Sequence, residues 1–259
     1  MRLEILIALR YLASKKKTRF LSLITFIAVG GVFVGVAALI IVMSVMNGLQ
    51  EDLREKILAN TPHIVFQRYD NEPIERYRDL LARIREVPGV RGVAPFIYTE
   101  GIIGHGRNLN EGAVIRGIDP RAELSVTGTA SHMVSGSYDL DPRLDERYPR
   151  LIMGYLMADR LRAFPGDTVT ITTPDAASYA SSVGATVPKF ARFILAGTFR
   201  TGLFEYDSKF VYTSLPALQR YLNLPDVAYG ISADVGDVYA AADVADAIVG
   251  RLDAALYAT

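Results

Sequence analysis

Residues 21–50 read LSLITFIAVGGVFVGVAALIIVMSVMNGLQ, thirty positions without one charged side chain. About 20 apolar residues in a helix cross the hydrocarbon core of a bilayer, so this stretch is long enough to span. At about 1.5 Å per residue it reaches about 45 Å. The twenty residues before it carry six basic side chains (Arg2, Arg10, Lys15, Lys16, Lys17, Arg19) and one acidic one, Glu4. Lys and Arg accumulate on the cytoplasmic side of a membrane helix, and the flank that follows, Glu51–Lys56, is mixed in sign. The reading is a cytoplasmic amphipathic or basic segment over residues 1–20, a transmembrane helix over 21–49, and an outer domain over 50–259.

A cleaved secretory signal is the competing reading. Its apolar core runs about 7–15 residues before a small-x-small cleavage site. Here the run is about twice that, and it passes straight into a helical continuation in which Met46, Leu49, Leu53 and Ile57 recur at three- and four-residue steps. Residues 2–13 suit a short amphipathic helix on the membrane surface, with an unstructured basic tail as the alternative.

The whole chain balances 28 basic against 28 acidic residues, which argues against a nucleic-acid binder. With residues 1–20 set aside, 22 basic and 27 acidic side chains remain, so net charge would not draw the outer domain to anionic lipid or nucleic acid. There is no cysteine, which removes thiolate chemistry and disulfides.

Beyond the anchor, strand and helix patterns alternate. Thr61-Pro62 ends a stalk helix and His63–Gln67 suits a short strand. Pro73 opens an amphipathic helix with Ile74, Tyr77, Leu80, Leu81, Ile84 and Val87 on one face. Val90–Tyr98 with Ile102-Ile103, a polar turn over His105–Glu111, and Ala113–Ile118 read as a hairpin, whereas residues 121–148 are polar and irregular. A strand at Arg150–Gly154, a helix at Tyr155–Ala163 and a strand at Thr168–Thr173 come next. The stretch Pro174–Ala191, rich in Ala, Ser, Gly and Pro, leaves one strand and enters the next, Phe193–Phe199; long loops of this kind are commonly functional or disordered. A strand at Lys209–Tyr212, a helix at Leu215–Leu222, a strand near Ala228–Val235 and a helix over Val238–Leu256 complete an α+β domain of two subdomains. The last helix is expected to lead back to the membrane as a second stalk.

Motifs for chemistry are missing. No G-x-x-x-x-G-K-[ST], G-x-S-x-G, H-E-x-x-H or dinucleotide fingerprint occurs. His63, His105 and His132 lie far apart without partners at ligand spacing. An EF-hand loop starting at Asp139 would want Gly at its sixth position, where Leu144 sits. The expectation is no metal, no catalytic residue and no cofactor on this chain. Gly31 and Gly35 form a small-xxx-small pair that lets membrane helices approach closely.

Several stretches resemble the lipoprotein-releasing ABC transporter permease family: Ile7-Ala8-Leu9-Arg10-Tyr11-Leu12 and Ser44-Val45-Met46-Asn47-Gly48-Leu49-Gln50 around the span, then Gly92-Val93-Ala94-Pro95, Gly117-Ile118-Asp119-Pro120, Gly136-Ser137-Tyr138, Ile152-Met153-Gly154, Pro165-Gly166-Asp167 and Gly197-Thr198-Phe199. The match covers nearly the whole chain in order. Macrolide-efflux and cell-division permeases are similar. The resemblance implies a two-lobed periplasmic domain, a porter-like α/β lobe plus a second, β-rich lobe, following the first membrane helix. It implies a non-catalytic subunit in the cell inner membrane. The expected partners are a second permease subunit, in a homodimer or heterodimer, and a separate ABC ATPase subunit that binds the ATP. Lipoprotein substrates would pass to a periplasmic lipoprotein chaperone.

The resemblance puts a chaperone-gripping hook at 174–191, with Tyr179, Val183, Gly184, Val187, Pro188, Lys189 and Arg192 as its contacts, and assigns Gly31, Gly35, Val45, Met46 and Leu49 to the lipoprotein path and helix packing. Basic residues expected on strand Thr168–Thr173 are not matched, which leaves Lys189 and Arg192. Nothing after residue 50 could span a membrane, so the expectation is a fragment lacking three further helices. The alternative from another class is a single-pass envelope sensor or adaptor; an anchored hydrolase lacks its motifs.

Overall fold

The computed structural model describes Leu3, Leu6, Ile7, Arg10 and residues 19–69, 72–106, 109–141, 146–174, 188–252 and 256–259. It divides into two compact units, Met1–Arg54 and Glu55–Thr259.

The first helix, α1, runs Arg19–Asn60. Its stretch Leu23–Asn60 is long and apolar enough to cross a membrane. A backbone in hydrocarbon has no water to bond, and a helix satisfies every group internally, which offsets the cost of Gly30, Gly31, Gly35 and Gly48. The helix stops where side chains take its last carbonyls: Asn60 Nδ2 donates to Lys56 O (2.8 Å) and Thr61 Oγ1 to Ile57 O (2.7 Å). Pro62 then has no N–H to continue the ladder.

Within the second unit, β1 (Ile64–Arg68), α2 (Tyr77–Arg85) and β2 (Val90–His105) begin a β-α-β-β-α-β lobe. It is completed near the end of the chain by β9 (Gly230–Val235), α7 (Ala241–Leu252) and β10 (Leu256–Ala258). These strands lie in the order β10-β1-β9-β2, every pair antiparallel, the split βαβ arrangement. Tyr77, Leu81 and Ile84 of α2 and Ala245, Ile248 and Leu252 of α7 are buried with Ile64, Phe66, Val93 and Ala233 of the strands.

Everything between β2 and β9 forms the second lobe. It comprises β3 (Leu109–Ile118), α3 (Pro120–Glu123), β4 (Met133–Gly136), β5 (Arg150–Gly154), α4 (Tyr155–Leu161), β6 (Thr168–Pro174), β7 (Pro188–Phe199), α5 (Phe204–Lys209), β8 (Phe210–Ser214) and α6 (Leu215–Leu222). The pairings β2–β3, β3–β8, β8–β5, β5–β7, β7–β6 and β6–β2 close on themselves. Closure removes exposed strand edges. Ile103, Ile115, Met153, Val169, Ile171, Phe193, Leu195 and Val211 are among its buried side chains. Because β2 is sixteen residues long, its first half serves the split βαβ lobe and its second half the ring.

The α+β class and the two lobes agree with the sequence reading. Four local expectations are corrected. The helix expected from Pro73 begins at Tyr77, because Ile74 forms a bridge to Ala228 that holds the chain extended. The helix read over Val238–Leu256 stops at Leu252, and Leu256–Ala258 pair with β1 instead of forming a second stalk. Pro188–Ala191, read as loop, belong to β7. The irregular stretch 121–148 contains α3 and β4.

Candidate functional site

Strands β6 and β7 pair as a hairpin on either side of the stretch expected to be a hook. Its register runs from Thr168↔Ile194 to Pro174↔Pro188. That last described pair is two facing prolines, neither of which supplies an N–H. Tyr179, Val183, Gly184 and Val187 fall in residues 175–187, outside the described residues. Pro188, Lys189 and Arg192 are placed, all on β7.

Beneath the hairpin sits Tyr221 of α6, only 6% exposed. Its hydroxyl lies 2.9 Å from Thr173 Oγ1 and donates to Lys189 O at 2.8 Å, so one phenol ties both strands together. Burial pushes the phenol's pKa up. The ring of Phe193 meets it edge-on at 6.2 Å. Lys189, expected among the chaperone contacts, has its ammonium 5.6 Å from the Tyr221 ring centroid, buried and without a hydrogen-bond partner among the described residues.

Arg192 is exposed and donates to Tyr148 Oη at 3.3 Å. That hydrogen bond lowers the pKa of the Tyr148 phenol. Arg147, Arg192 and Arg220 line an open cleft of about 320 Å³ together with Glu146, Tyr148 and Tyr221. The sequence reading found only Lys189 and Arg192 here. Arg147 and Arg220 are brought in by the loop before β5 and by α6, far along the chain, and no local motif marks them. The chemistry available is recognition of an anionic or amphipathic surface; no group of residues suited to a metal exists among the described residues.

On α1, Gly31 and Gly35 are exposed, and a Cβ at either would meet nothing within 4 Å. Val45, Met46 and Leu49 are also exposed. At about 100° per residue all five fall on one stripe roughly 100° wide. At the other end of α1, Asn60 is 3% exposed and Ala59 O accepts from Gly128 N at 3.0 Å, which fixes the last turn into the outer unit.

The family model of the MacB-like periplasmic core domain matches residues 25–251. The lipoprotein-releasing system transmembrane protein LolC of Neisseria meningitidis serogroup B is 31% identical over 236 residues, 91% of this chain and 55% of that protein. LolC of Xylella fastidiosa is 28% identical over 251 residues, 97% of this chain and 58% of its own length. The chain thus spans somewhat more than half the length of these relatives. The periplasmic region of MacB from Actinobacillus actinomycetemcomitans superposes with a TM-score of 0.51 at 12% identity, covering 79% of this chain and 90% of that one. That likeness shows the shared fold. The chain belongs to the family of the MacB-like periplasmic core domain.

Proposed function

We propose that this chain is the permease subunit of an ABC transporter that extracts lipoproteins from the inner membrane and hands them to a periplasmic chaperone. Residues 1–20 lie in the cytoplasm and the unit from Glu55 onward in the periplasm. The subunit is not an enzyme: ATP binds a separate ATPase, and a second permease subunit, identical or related, completes the membrane path. Exposing a buried acyl chain costs about 0.8 kcal/mol per CH₂, on the order of 10 kcal/mol for one long chain, so a driven step and an apolar receiver are both needed.

The observation that carries this reading is the β6–β7 hairpin. Its described register closes on the pair Pro174↔Pro188, and Tyr221 fastens both strands just below. Such a base holds a projecting loop in place while its tip meets a partner, which limits the ordering entropy lost on binding. Tyr179, Val183 and Val187 supply the apolar grip and Arg192 the charged flank. The Gly31, Gly35, Val45, Met46 and Leu49 stripe faces the lipoprotein path or a neighbouring helix. The fixed last turn of α1 supports it as the route by which force reaches the domain.

The test is lipoprotein release from spheroplasts on addition of the purified chaperone. Release should require this protein and should stop when Tyr179–Val187 are deleted. Undiminished release from spheroplasts lacking the protein would overturn the proposal.

A further inference from the structure

The turn before α5 leads into an uncovered aromatic ring. Phe204 is 64% exposed. The turn that presents it is locked by Asp207, itself 2% exposed, which accepts from Thr201 N (2.7 Å), Thr201 Oγ1 (2.9 Å) and Gly202 N (3.1 Å). Thr201 Oγ1 in turn accepts from Leu203 N at 3.1 Å. A lone exposed apolar side chain is ordinary. An exposed ring that directly follows a turn fixed by a buried carboxylate with three donors is a presented group.

Its surroundings are basic. The Arg160 guanidinium lies 5.9 Å from the Phe204 ring centroid, and exposed Arg200 stacks on Tyr155 at 4.7 Å. A Cβ at Gly202 would lie 3.7 Å from Lys56 Cε. The acidic neighbours are engaged: Glu205 with Lys209 at 2.7 Å and Glu111 with Arg160 at 3.3 Å.

Chain length then says what this patch meets. Lys56 follows Gln50, the last residue of the uncharged stretch, by six positions. Those six residues reach about 9 Å as helix and at most about 20 Å fully extended. A patch beside Lys56 therefore stays within reach of the headgroup layer. Apolar side chains of interfacial segments, Phe among them, bury at the boundary of that layer, and cationic side chains meet its phosphates.

We propose that the Arg200–Phe204 turn is a foot on the phospholipid surface, with the Phe204 ring entering the headgroup–acyl boundary and Arg200 against lipid phosphate. The inference rests on the reading that residues 21–50 span the membrane.

The chain contains no tryptophan, so a single substitution gives a unique fluorophore. The full chain is reconstituted into vesicles of dibrominated phosphatidylcholine with phosphatidylglycerol, separately as Phe204→Trp, Phe33→Trp within the span, and Phe190→Trp, an equally exposed ring on β7. Phe33→Trp should be strongly quenched and Phe190→Trp should emit as in water. Phe204→Trp should shift to the blue and lose roughly half its emission, as expected for a ring about 5–10 Å into the interface. Quenched Phe33→Trp with unquenched Phe204→Trp overturns the foot alone, and a blue shift without quenching assigns the ring to a protein contact instead. Equal quenching of Phe190→Trp and Phe204→Trp also overturns the foot. Unquenched Phe33→Trp overturns the spanning reading and the foot with it.

Discussion

Replacing Tyr221 by Phe removes one oxygen and leaves the ring. That oxygen makes two short bonds across the hairpin base, to Thr173 Oγ1 at 2.9 Å and to Lys189 O at 2.8 Å. Thr173 is 1% exposed and Tyr221 6%, so water does not readily replace the lost partner. Each bond contributes a net ~0.5–1.5 kcal/mol, which puts the cost of Tyr221→Phe at about 1–3 kcal/mol. In a unit of this size each kcal/mol moves the melting temperature by about 2–4 °C, so a fall of roughly 2–12 °C is expected.

The assay is thermal unfolding of the detergent-solubilised chain followed by circular dichroism. Tyr148→Phe serves as the control, because its hydroxyl sits at the surface beside exposed Arg192, and its melting temperature should match the parent's. Adding Thr173→Val to Tyr221→Phe should recover part of the loss, since an apolar pair leaves no buried hydroxyl stranded on the threonine side. A Tyr221→Phe protein that melts with the parent would refute the claim that this phenol fastens the hairpin.

Deleting Tyr179–Val187 should abolish chaperone binding in a pull-down while leaving the melting temperature unchanged, and Tyr179→Ala alone should cost about 2 kcal/mol, roughly thirtyfold in affinity. Burial raises the pKa of Glu123, which is 1% exposed, and Arg116 only partly offsets this. In the unfolded chain the carboxyl ionises near pH 4.3, about its reference value, before the folded one does, so stability is lost as pH rises from there through the raised folded value. Glu123→Gln should therefore gain on the parent at neutral pH and lose that advantage near pH 4 in denaturant titrations; a pH-independent difference would contradict it. Protease added to intact spheroplasts should digest the unit beyond Glu55 and spare the N-terminal segment, and the opposite pattern would reverse the topology.

Much of the architecture was readable because it rests on local periodicity. The uncharged run 21–50 names its own helix, and the alternation through Val90–Ile118 declares a hairpin whose strands are indeed adjacent. The 3.6-residue period over Leu215–Leu222 matches α6 residue for residue. What escaped depends on distant contacts. Leu256–Ala258 are a strand only because β1 is there to pair with them. Phe204–Lys209 is too short for an apolar period, and its buried members are Asp207 and Ser208, the first a carboxylate that earns its burial by accepting three hydrogen bonds. The hook base was half legible for the same reason. Pro174 and Pro188 mark its ends, but Tyr221 arrives from 32 residues beyond Lys189, and no local pattern announces that it meets that lysine. Arg220 reaches the cleft by the same helix.

The most direct test of the central claim is the distribution of lipoproteins in cells depleted of this protein. Inner and outer membranes are separated on a density gradient, and a lipid-modified outer-membrane lipoprotein is quantified in each. The account predicts that the lipoprotein accumulates in the inner membrane as the protein disappears, and that restoring the intact protein, but not the Tyr179–Val187 deletion, returns it to the outer membrane. A lipoprotein that reaches the outer membrane in full amount without this protein would contradict the account.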